Sequence, residues 1–254
     1  MKKEFTIKLL LTLIISILFA NFNFAQDTKK GFDFTFKSGL MLANQYGKDA
    51  ESETFLNGDS PENFYANNPA SKKLKSGVSI GGLIEFRFNK RLSLGLGANY
   101  IQKGSKINAT NHWNSETQEY ENVDGTIKWI QNYWTIDLPL KIYFPIKQNE
   151  IHILGGLTFG HLINSKEKGD IKISENKYDY TNDRGANKNE QGFLVGIGYN
   201  YLLPNKKNHL ILEFIWNRSF GKSYGGDLIP NPQKYYNQTF NLSFGYKFDF
   251  NNKK

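Results

Sequence analysis

The sequence predicts an all-β fold, an eight-stranded antiparallel up-and-down transmembrane β-barrel with long external loops. In eight stretches of the chain, side chains alternate between two faces, as they do along a β-strand. Of the fourteen charged residues in these stretches, thirteen fall on one side of the alternation, and the other side is apolar. The connections between the stretches alternate between long and short. Transmembrane barrels with an apolar outer face and a polar interior have this pattern.

The eight predicted strands cover 32–44, 76–88, 91–103, 131–144, 150–163, 190–203, 209–219 and 237–250. The first two turn their charged residues inward. The third sets apolar side chains outward, namely Leu92, Leu94, Leu96, Ala98 and Tyr100. The fourth does the same with Trp134, Ile136, Leu138, Leu140, Ile142 and Phe144. The seventh carries the single outward charge, Arg218, at its end, and the eighth has one wholly apolar face, with Phe240, Leu242, Phe244, Tyr246, Phe248 and Phe250.

The connections predict the orientation of the barrel. Short ones occupy 89–90, 145–149 and 204–208, whereas the long ones at 45–75, 104–130, 164–189 and 220–236 are polar. Outer-membrane barrels have short periplasmic turns and long external loops, and an even strand number leaves both termini in the periplasm. Asp124-Gly125 is a type I′ turn signal that either extends the fourth strand upward or adds a small external hairpin. Because 171–180 also alternates weakly, a ten-stranded barrel is an open alternative.

Residues 1–25 have the pattern of a signal peptide. Lys2, Lys3 and Lys8 precede a twelve-residue apolar run, and Asn23-Phe24-Ala25 resembles a cleavage site. Twelve residues are too few for a membrane-spanning helix, which needs about twenty. We therefore predict two parts, a signal peptide at 1–25 and an outer-membrane β-barrel domain at 26–254, in the outer membrane of a Gram-negative bacterium.

Composition excludes several classes of function. The full chain carries 32 basic and 24 acidic residues, and removing residues 1–25 leaves a net charge of about +6 without any dense basic block. Nucleic acid is therefore not an expected partner. The chain has no cysteine, which excludes disulfides, thiolate chemistry and cysteine-based metal sites.

The inward-facing charges predict an ion network inside the barrel. An eight-stranded barrel is just wide enough for side chains to fill it. Isolated buried charges are costly, so acids and bases are expected to pair there and close the lumen. The predicted members are Asp33, Lys37, Glu85, Arg87, Asp137, Lys141, Glu213, Lys247 and Asp249.

No catalytic, metal-binding or cofactor-binding residue is predicted. Ser79 lies in a G-x-S-x-G pattern. The hydrolase motif requires a helix directly after the serine, and no helix is predicted there. Of the four histidines, His152 and His209 begin strands at the opposite end of the barrel and His161 faces outward, which leaves His112 as the only partner worth testing. The histidines also lack metal-ligand spacing.

Aromatic residues in the long connections have two interpretations. Either they contact a protein or glycan surface, or they pack the loops against one another. The set comprises Tyr46, Phe55, Phe64, Tyr65, Trp113, Tyr120, Trp129, Tyr178, Tyr180, Tyr224, Tyr235 and Tyr236.

Three local motifs resemble the PorT-like outer-membrane β-barrel domain family. They are Ser38-Gly39-Leu40, Gln102-Lys103-Gly104-Ser105-Lys106 and Trp134-Thr-Ile-Asp-Leu-Pro-Leu-Lys-Ile-Tyr143, in which Asp137 departs from the family's Ile-Pro-Leu stretch. The resemblance covers nearly all of the chain after residue 25. It implies an integral outer-membrane location and, for the member that names the family, a role in protein secretion. It implies no catalytic motif.

These observations predict a monomeric, non-enzymatic barrel surrounded by outer-membrane lipid, whose loops contact another envelope or surface component. Two alternatives stay open. One is a small lipid-modifying enzyme using Ser79 and His112, and the other is a narrow transport barrel whose lumen ions rearrange.

Overall fold

The computed structural model describes residues 31–114, 117–205, 207–220 and 235–250. The predicted signal peptide at 1–25 lies outside the described residues, as does most of the last long connection with its Tyr224. No helix in the described part of the chain is long and apolar enough to cross a membrane.

In the described part of the chain, eleven strands form one sheet. They are β1 (Gly31–Gly47), β2 (Glu53–Asn57), β3 (Tyr65–Ala66), β4 (Lys75–Arg87), β5 (Leu92–Asn114), β6 (Glu119–Ile146), β7 (Asn149–Ile173), β8 (Asn176–Asp183), β9 (Asn189–Leu202), β10 (His209–Ser219) and β11 (Tyr235–Asp249).

Eight of these strands close into an antiparallel ring in the order β1, β4, β5, β6, β7, β9, β10, β11. The ring closes where β1 pairs with β11, from Asp33 opposite Asp249 to Gly47 opposite Tyr235. Closure satisfies the backbone hydrogen bonds of every ring strand, which a lipid environment requires. The predicted eight-stranded up-and-down barrel is confirmed.

The two faces of the ring have the predicted chemistry. Outward side chains such as Leu40, Trp134 and Phe244 are apolar yet 56–71% exposed, because only lipid would cover them. Inward Glu85, Lys141 and Lys247 are at most 1% exposed. The outward apolar belt marks the membrane-spanning segments as 32–42, 78–86, 94–100, 134–144, 151–163, 193–201, 210–216 and 240–248.

Two predicted long connections are not loops. The stretches 104–130 and 164–183 continue β5, β6 and β7 beyond the belt and add β8, which pairs with β7 alone. The strands persist because inward apolar residues there, including Ile107, Ile127 and Ile171, pack a second core outside the membrane.

Of the two alternatives predicted at Asp124-Gly125, the upward extension of the fourth strand is confirmed and the added external hairpin is wrong. Gly125 lies inside β6, paired with Ala109 on one side and Ile171 on the other, so a reversal there would break two strand ladders. The β5–β6 turn instead lies at the hairpin tip, where Gln118 adopts a φ of 56°. The ten-stranded alternative is also wrong, since β8 stays outside the ring.

The interior is layered from the turn end, where the short connections lie, to the loop end, where the long ones lie. Charged side chains fill the turn-end half, followed by apolar groups around Leu154 and Tyr133. A smaller polar group around Glu190 lies above them. At the loop end, residues 48–74 fold over the extended strands. We call residues 48–74 together with 104–130 and 164–188 the cap.

Candidate functional site

Charged side chains from six ring strands meet in the turn-end half of the lumen. We call this group the ion cluster, and its members form one connected series of pairs: Lys37, Glu213, Lys141, Glu85, Lys247, Asp33, Arg87 and Glu150. Four are acidic and four are basic, so their formal charges cancel. Successive side chains of a strand point to opposite faces, and all eight of these residues occupy positions whose side chains point into the lumen.

Glu213 on β10 holds one side of the cluster. Its carboxylate accepts hydrogen bonds from Lys37 Nζ at 3.2 Å and Lys141 Nζ at 2.8 Å. The Nε2 atom of the buried His152 lies 3.0 Å from the same carboxylate. Glu213 is 1% exposed, so these groups take the place of water around its charge.

Glu85 and Arg87 hold the other side. Glu85 lies 3.2 Å from both Lys141 Nζ and Lys247 Nζ, and it accepts a hydrogen bond from the Tyr143 hydroxyl. Arg87 donates two parallel hydrogen bonds to Glu150, at 2.8 and 2.7 Å, and a third to Asp33 at 3.0 Å. Such bidentate charged pairs are the strong kind in a low dielectric.

Seven of the nine residues predicted for the network are in the ion cluster. Asp137 is not, because its carboxylate accepts hydrogen bonds from the neutral Asn99 at 2.7 Å and Thr158 at 2.6 Å. Among the described residues, no lysine or arginine nitrogen lies within 4.0 Å of Asp137. Asp249 is half-buried at the turn-end rim, opposite Asp33 in the strand register.

Sequence reasoning missed several inward groups because it set strand ends aside. Glu150 begins one predicted strand, while Lys103 ends another and Glu190 begins a third, yet all three follow the inward parity. Lys103 Nζ lies 2.5 Å from Glu190, which also accepts a hydrogen bond from Asn237 at 2.7 Å. Parity extended to the strand ends would have found them.

A cavity of about 40 Å³ lies between the ion cluster and the upper polar group. Its polar lining includes Lys37, Ser79, Asn99, Asp137, Asn217 and Asn241. A cavity needs at least about 10–15 Å³ to hold one water, so this one has room for water.

The structure does not bring Ser79 and His112 together. Ser79 donates a hydrogen bond to Asn241 at 3.1 Å inside the barrel. His112 lies eleven residues along β5 from Ile101, the residue opposite Ser79, which is roughly 35 Å at the usual strand rise. Nowhere in the described residues do three or more histidines or carboxylates gather in a way that could hold a metal ion.

The cap has a hydrophobic core of its own. Its members are Leu56, Phe64, Ala66, Ile107, Ala109, Val123, Ile127, Ile171, Ile173 and Tyr180. The ring of Phe64 meets His112, Tyr178 and Tyr180 edge-on, at 5.6 to 5.9 Å between centroids. The first long connection is therefore packed against the extended hairpins.

A family model described as outer membrane protein beta-barrel domain matches residues 24–225. The chain belongs to this family. It is an integral β-barrel protein of the outer membrane of Gram-negative bacteria.

Solved outer-membrane barrels are similar to this chain at low identity. Neisserial surface protein A is 12% identical, with 88% of this chain and 100% of that one covered at a TM-score of 0.41. OprG of Pseudomonas aeruginosa is 12% identical, with 89% of this chain and 99% of that one covered at a TM-score of 0.41. The outer membrane protease OmpT of Escherichia coli is 12% identical, with 87% of this chain and 96% of that one covered at a TM-score of 0.31. No curated protein sequence matches the chain.

Glu167 anchors the cap of this outer-membrane barrel. Its buried carboxylate accepts hydrogen bonds from the Ala66 backbone N–H at 2.6 Å and the Tyr180 hydroxyl at 2.8 Å, and Arg184 Nε lies 3.8 Å away. It lies beyond the membrane-spanning part of β7. Burial raises the pKa of Glu167 above its ordinary value, against the opposing effects of Arg184 and these two donors.

The stability of the cap should therefore fall as pH rises. A carboxyl whose pKa is raised on folding is stabilised in its protonated form, so its contribution is complete below the ordinary value of 4.5 and is lost through the raised pKa. We expect the amide-exchange protection factor of Ala66, corrected for the intrinsic rate, to decrease between pH 4 and pH 8. In Glu167→Gln, which cannot titrate, this decrease should vanish. An equal decrease in both proteins would contradict the assignment.

The aromatic residues of the long connections divide between the two interpretations. Phe64, Trp129, Tyr180 and Tyr235 are at most 6% exposed and pack inside. By contrast, Phe55, Trp113 and Tyr120 are 44–67% exposed and contact one another, with ring centroids 6.2 and 5.0 Å apart. We call these three residues the aromatic patch.

Proposed function

We propose that this outer-membrane barrel is non-enzymatic, is closed by its ion cluster, and uses the cap to contact another envelope or surface component. The observation that carries the proposal is the aromatic patch. It is an exposed group of large rings on a segment that is otherwise folded around its own core.

The cap supplies a prearranged surface. Hydrogen bonds tie residues 48–74 to the extended strands. Asn182 Nδ2 donates to the Phe64 carbonyl at 2.6 Å, and His112 Nε2 lies 2.6 Å from the Gly58 carbonyl. Binding by an ordered surface avoids the entropy cost of ordering a loop. Large rings on such a surface are the residue type that contributes most to binding at interfaces.

The ion cluster supports a closed rather than a conducting barrel. Its members are paired across the lumen and, apart from Lys37 and Glu150, their side chains are at most 7% exposed. Passage of a solute would require these pairs to separate in a low dielectric. The separation of Ser79 from His112 supports a non-enzymatic role.

The placement of long and short connections supports an external cap and periplasmic termini. The PorT-like resemblance would make the partner a component of a secretion system. The barrel itself is proposed to be a monomer, since its ring closes within one chain.

The test is cross-linking on intact cells that express the tagged full chain. Because the chain has no cysteine, Asn122→Cys in the cap and Lys207→Cys in a short turn report orientation with a membrane-impermeant maleimide. We expect Asn122→Cys alone to be labelled. A defined envelope or surface component should then co-purify after cross-linking.

Replacing Phe55, Trp113 and Tyr120 with alanine should reduce recovery of that component at least tenfold, because the rings are its main contact. Tyr65→Ala is the matched control, since Tyr65 is a 43% exposed cap aromatic outside the patch. Unchanged recovery with the triple variant, or labelling of Lys207→Cys alone, would refute the proposal.

A further inference from the structure

The cap holds a pocket of about 260 Å³ between the first long connection and the tips of two extended hairpins. Pockets for drug-sized ligands measure about 300–1,000 Å³, so this one is sized for a single small group. Its lining comprises Asp59, Ser60, Pro61, Phe64, His112, Asn114, Glu121, Ile173 and Tyr178. We call it the cap pocket.

The cap pocket is separate from the aromatic patch. In the β5–β6 register His112 is opposite Glu121, and the next pair is Trp113 opposite Tyr120. Successive pairs along a hairpin point to opposite faces, so the cap pocket lies on the face turned away from Trp113 and Tyr120. A ligand in the cap pocket would therefore be recognised independently of the contact proposed for the patch.

His112 leaves a hydrogen-bond acceptor unmet in the wall of the cap pocket. The side chain is 7% exposed, and its Nε2 atom lies 2.6 Å from the Gly58 carbonyl oxygen. A carbonyl oxygen only accepts, so Nε2 carries the hydrogen, and Nδ1 of the neutral ring is left as an acceptor. Among the described residues, Nδ1 has no hydrogen-bond partner. A buried polar atom without a partner is costly, so a donor supplied by a ligand would stabilise the site.

The lining of the cap pocket is negatively charged. Glu121 Oε1 accepts a hydrogen bond from the neutral Asn114 at 2.6 Å, and no lysine or arginine nitrogen of the described residues lies within 4.0 Å of the Glu121 carboxylate. Asp59 adds a second carboxylate. Ser60 donates a hydrogen bond to Glu62, which lowers the pKa of Glu62 and keeps a third negative charge beside the pocket.

Basic side chains do not neutralise these acids. Within the described part of the chain, neither lysine nor arginine lines the cap pocket. Lys177 precedes Tyr178 in β8, but it points to the other face of the strand and pairs with Asp170 at 3.2 Å. The cap pocket is thus a local site of negative potential on a chain whose net charge is +8.

Aromatic and apolar groups complete the walls. Tyr178 and Phe64 pack edge-on with ring centroids 5.8 Å apart, and Pro61 and Ile173 lie beside them. Aromatic rings attract cations. Unmet acceptors, negative charge and aromatic rings together favour a ligand that carries positive charge and several N–H donors. Guanidinium and ammonium groups have both properties and no acceptor, whereas a sugar hydroxyl is neutral.

We propose that the cap pocket binds a single guanidinium or primary ammonium group. The cation pairs with Glu121 and Asp59, and one of its N–H groups donates to His112 Nδ1. A free amine and an arginine or lysine side chain of another protein present the same donors and the same charge, so the chemistry is common to both sources.

The test is an NMR titration of the purified full chain in a neutral detergent, following the amide signals of residues 59–64. The free cation is agmatine, and the side-chain cation is a capped glycine-arginine-glycine peptide. The neutral comparisons are the same peptide with citrulline in place of arginine, and N-acetylglucosamine. We expect the cations to bind and the neutral compounds to give no measurable shift. Tighter binding of the arginine peptide than of agmatine assigns the cation to a protein side chain, and the reverse assigns it to a free amine.

Glu121→Gln should weaken binding of both cations at least tenfold, because it removes the charge yet keeps an oxygen for Asn114. Glu119→Gln is the matched control. Glu119 is exposed on the same hairpin, opposite Asn114, and does not line the cap pocket. Its replacement should change binding by about twofold or less.

Equal weakening by the two variants would overturn the proposal, as would binding of the citrulline peptide or the sugar as tight as that of the cations. Protease resistance of residues 48–74 shows whether the cap of Glu121→Gln is folded. If it is not, Asp59→Asn is expected to weaken cation binding about threefold, since Asp59 is exposed and its charge is partly screened. Unchanged binding by Asp59→Asn would then refute the site.

Discussion

Replacing Glu213 with glutamine is expected to lower the free energy of unfolding by about 3–5 kcal/mol. The change removes one negative charge from a group that is 1% exposed, while keeping nearly the same shape. Lys37 and Lys141 then lose the carboxylate that lies 3.2 and 2.8 Å from their Nζ atoms. A buried cation left without its partner is costlier than the original pair was stabilising.

The measurement is urea unfolding of the barrel in lipid vesicles, followed by tryptophan fluorescence and by the gel mobility of unboiled samples. The midpoint should fall while the slope with denaturant stays constant. Asp137→Asn is the matched control, because it is also an isosteric change of a lumen carboxylate but its hydrogen-bond partners are neutral. We expect Asp137→Asn to cost at most about 1 kcal/mol. Equal effects of the two changes would show that the ion cluster has no special energetic role.

Replacing Phe64 with alanine is expected to destabilise the cap by about 3–5 kcal/mol, while the membrane-spanning ring stays folded. Phe64 is 3% exposed and lies at the centre of the cap core, against His112, Tyr178 and Tyr180. Its removal leaves a cavity between residues 48–74 and the extended hairpins. The ring has its own closed ladder of hydrogen bonds, so we expect it to stay folded without that core.

Limited proteolysis of the folded barrel distinguishes loss of the cap from unfolding of the ring. In Phe64→Ala, cleavage within 48–74 should become fast while the membrane-spanning fragment keeps its folded gel mobility. Phe55→Ala is the control, since Phe55 is 48% exposed on the aromatic patch and its loss should change stability by about 0.5 kcal/mol or less. Loss of folded gel mobility in Phe64→Ala would show that cap and ring unfold as one unit.

The number of ring strands and the faces of the barrel were predictable because both depend on local alternation. A residue such as Glu85 is turned inward by its parity alone, whatever it later contacts. The cap was not predictable in the same way. The stretch 104–130 is rich in polar residues, and its outward face carries charged side chains such as Lys106 and Lys128, so it resembles a loop in composition.

The sequence by itself determined the membrane-spanning ring and the inward position of all eight ion-cluster residues, since a two-residue period and the demands of lipid act on each strand separately. Only the tertiary structure decided which charges meet. It joined Glu213 to Lys37 and Lys141, gave Asp137 neutral partners, and buried Phe64 while exposing Phe55. These outcomes depend on strand register and on how residues 48–74 fold back, and both arise from contacts between residues far apart in the chain.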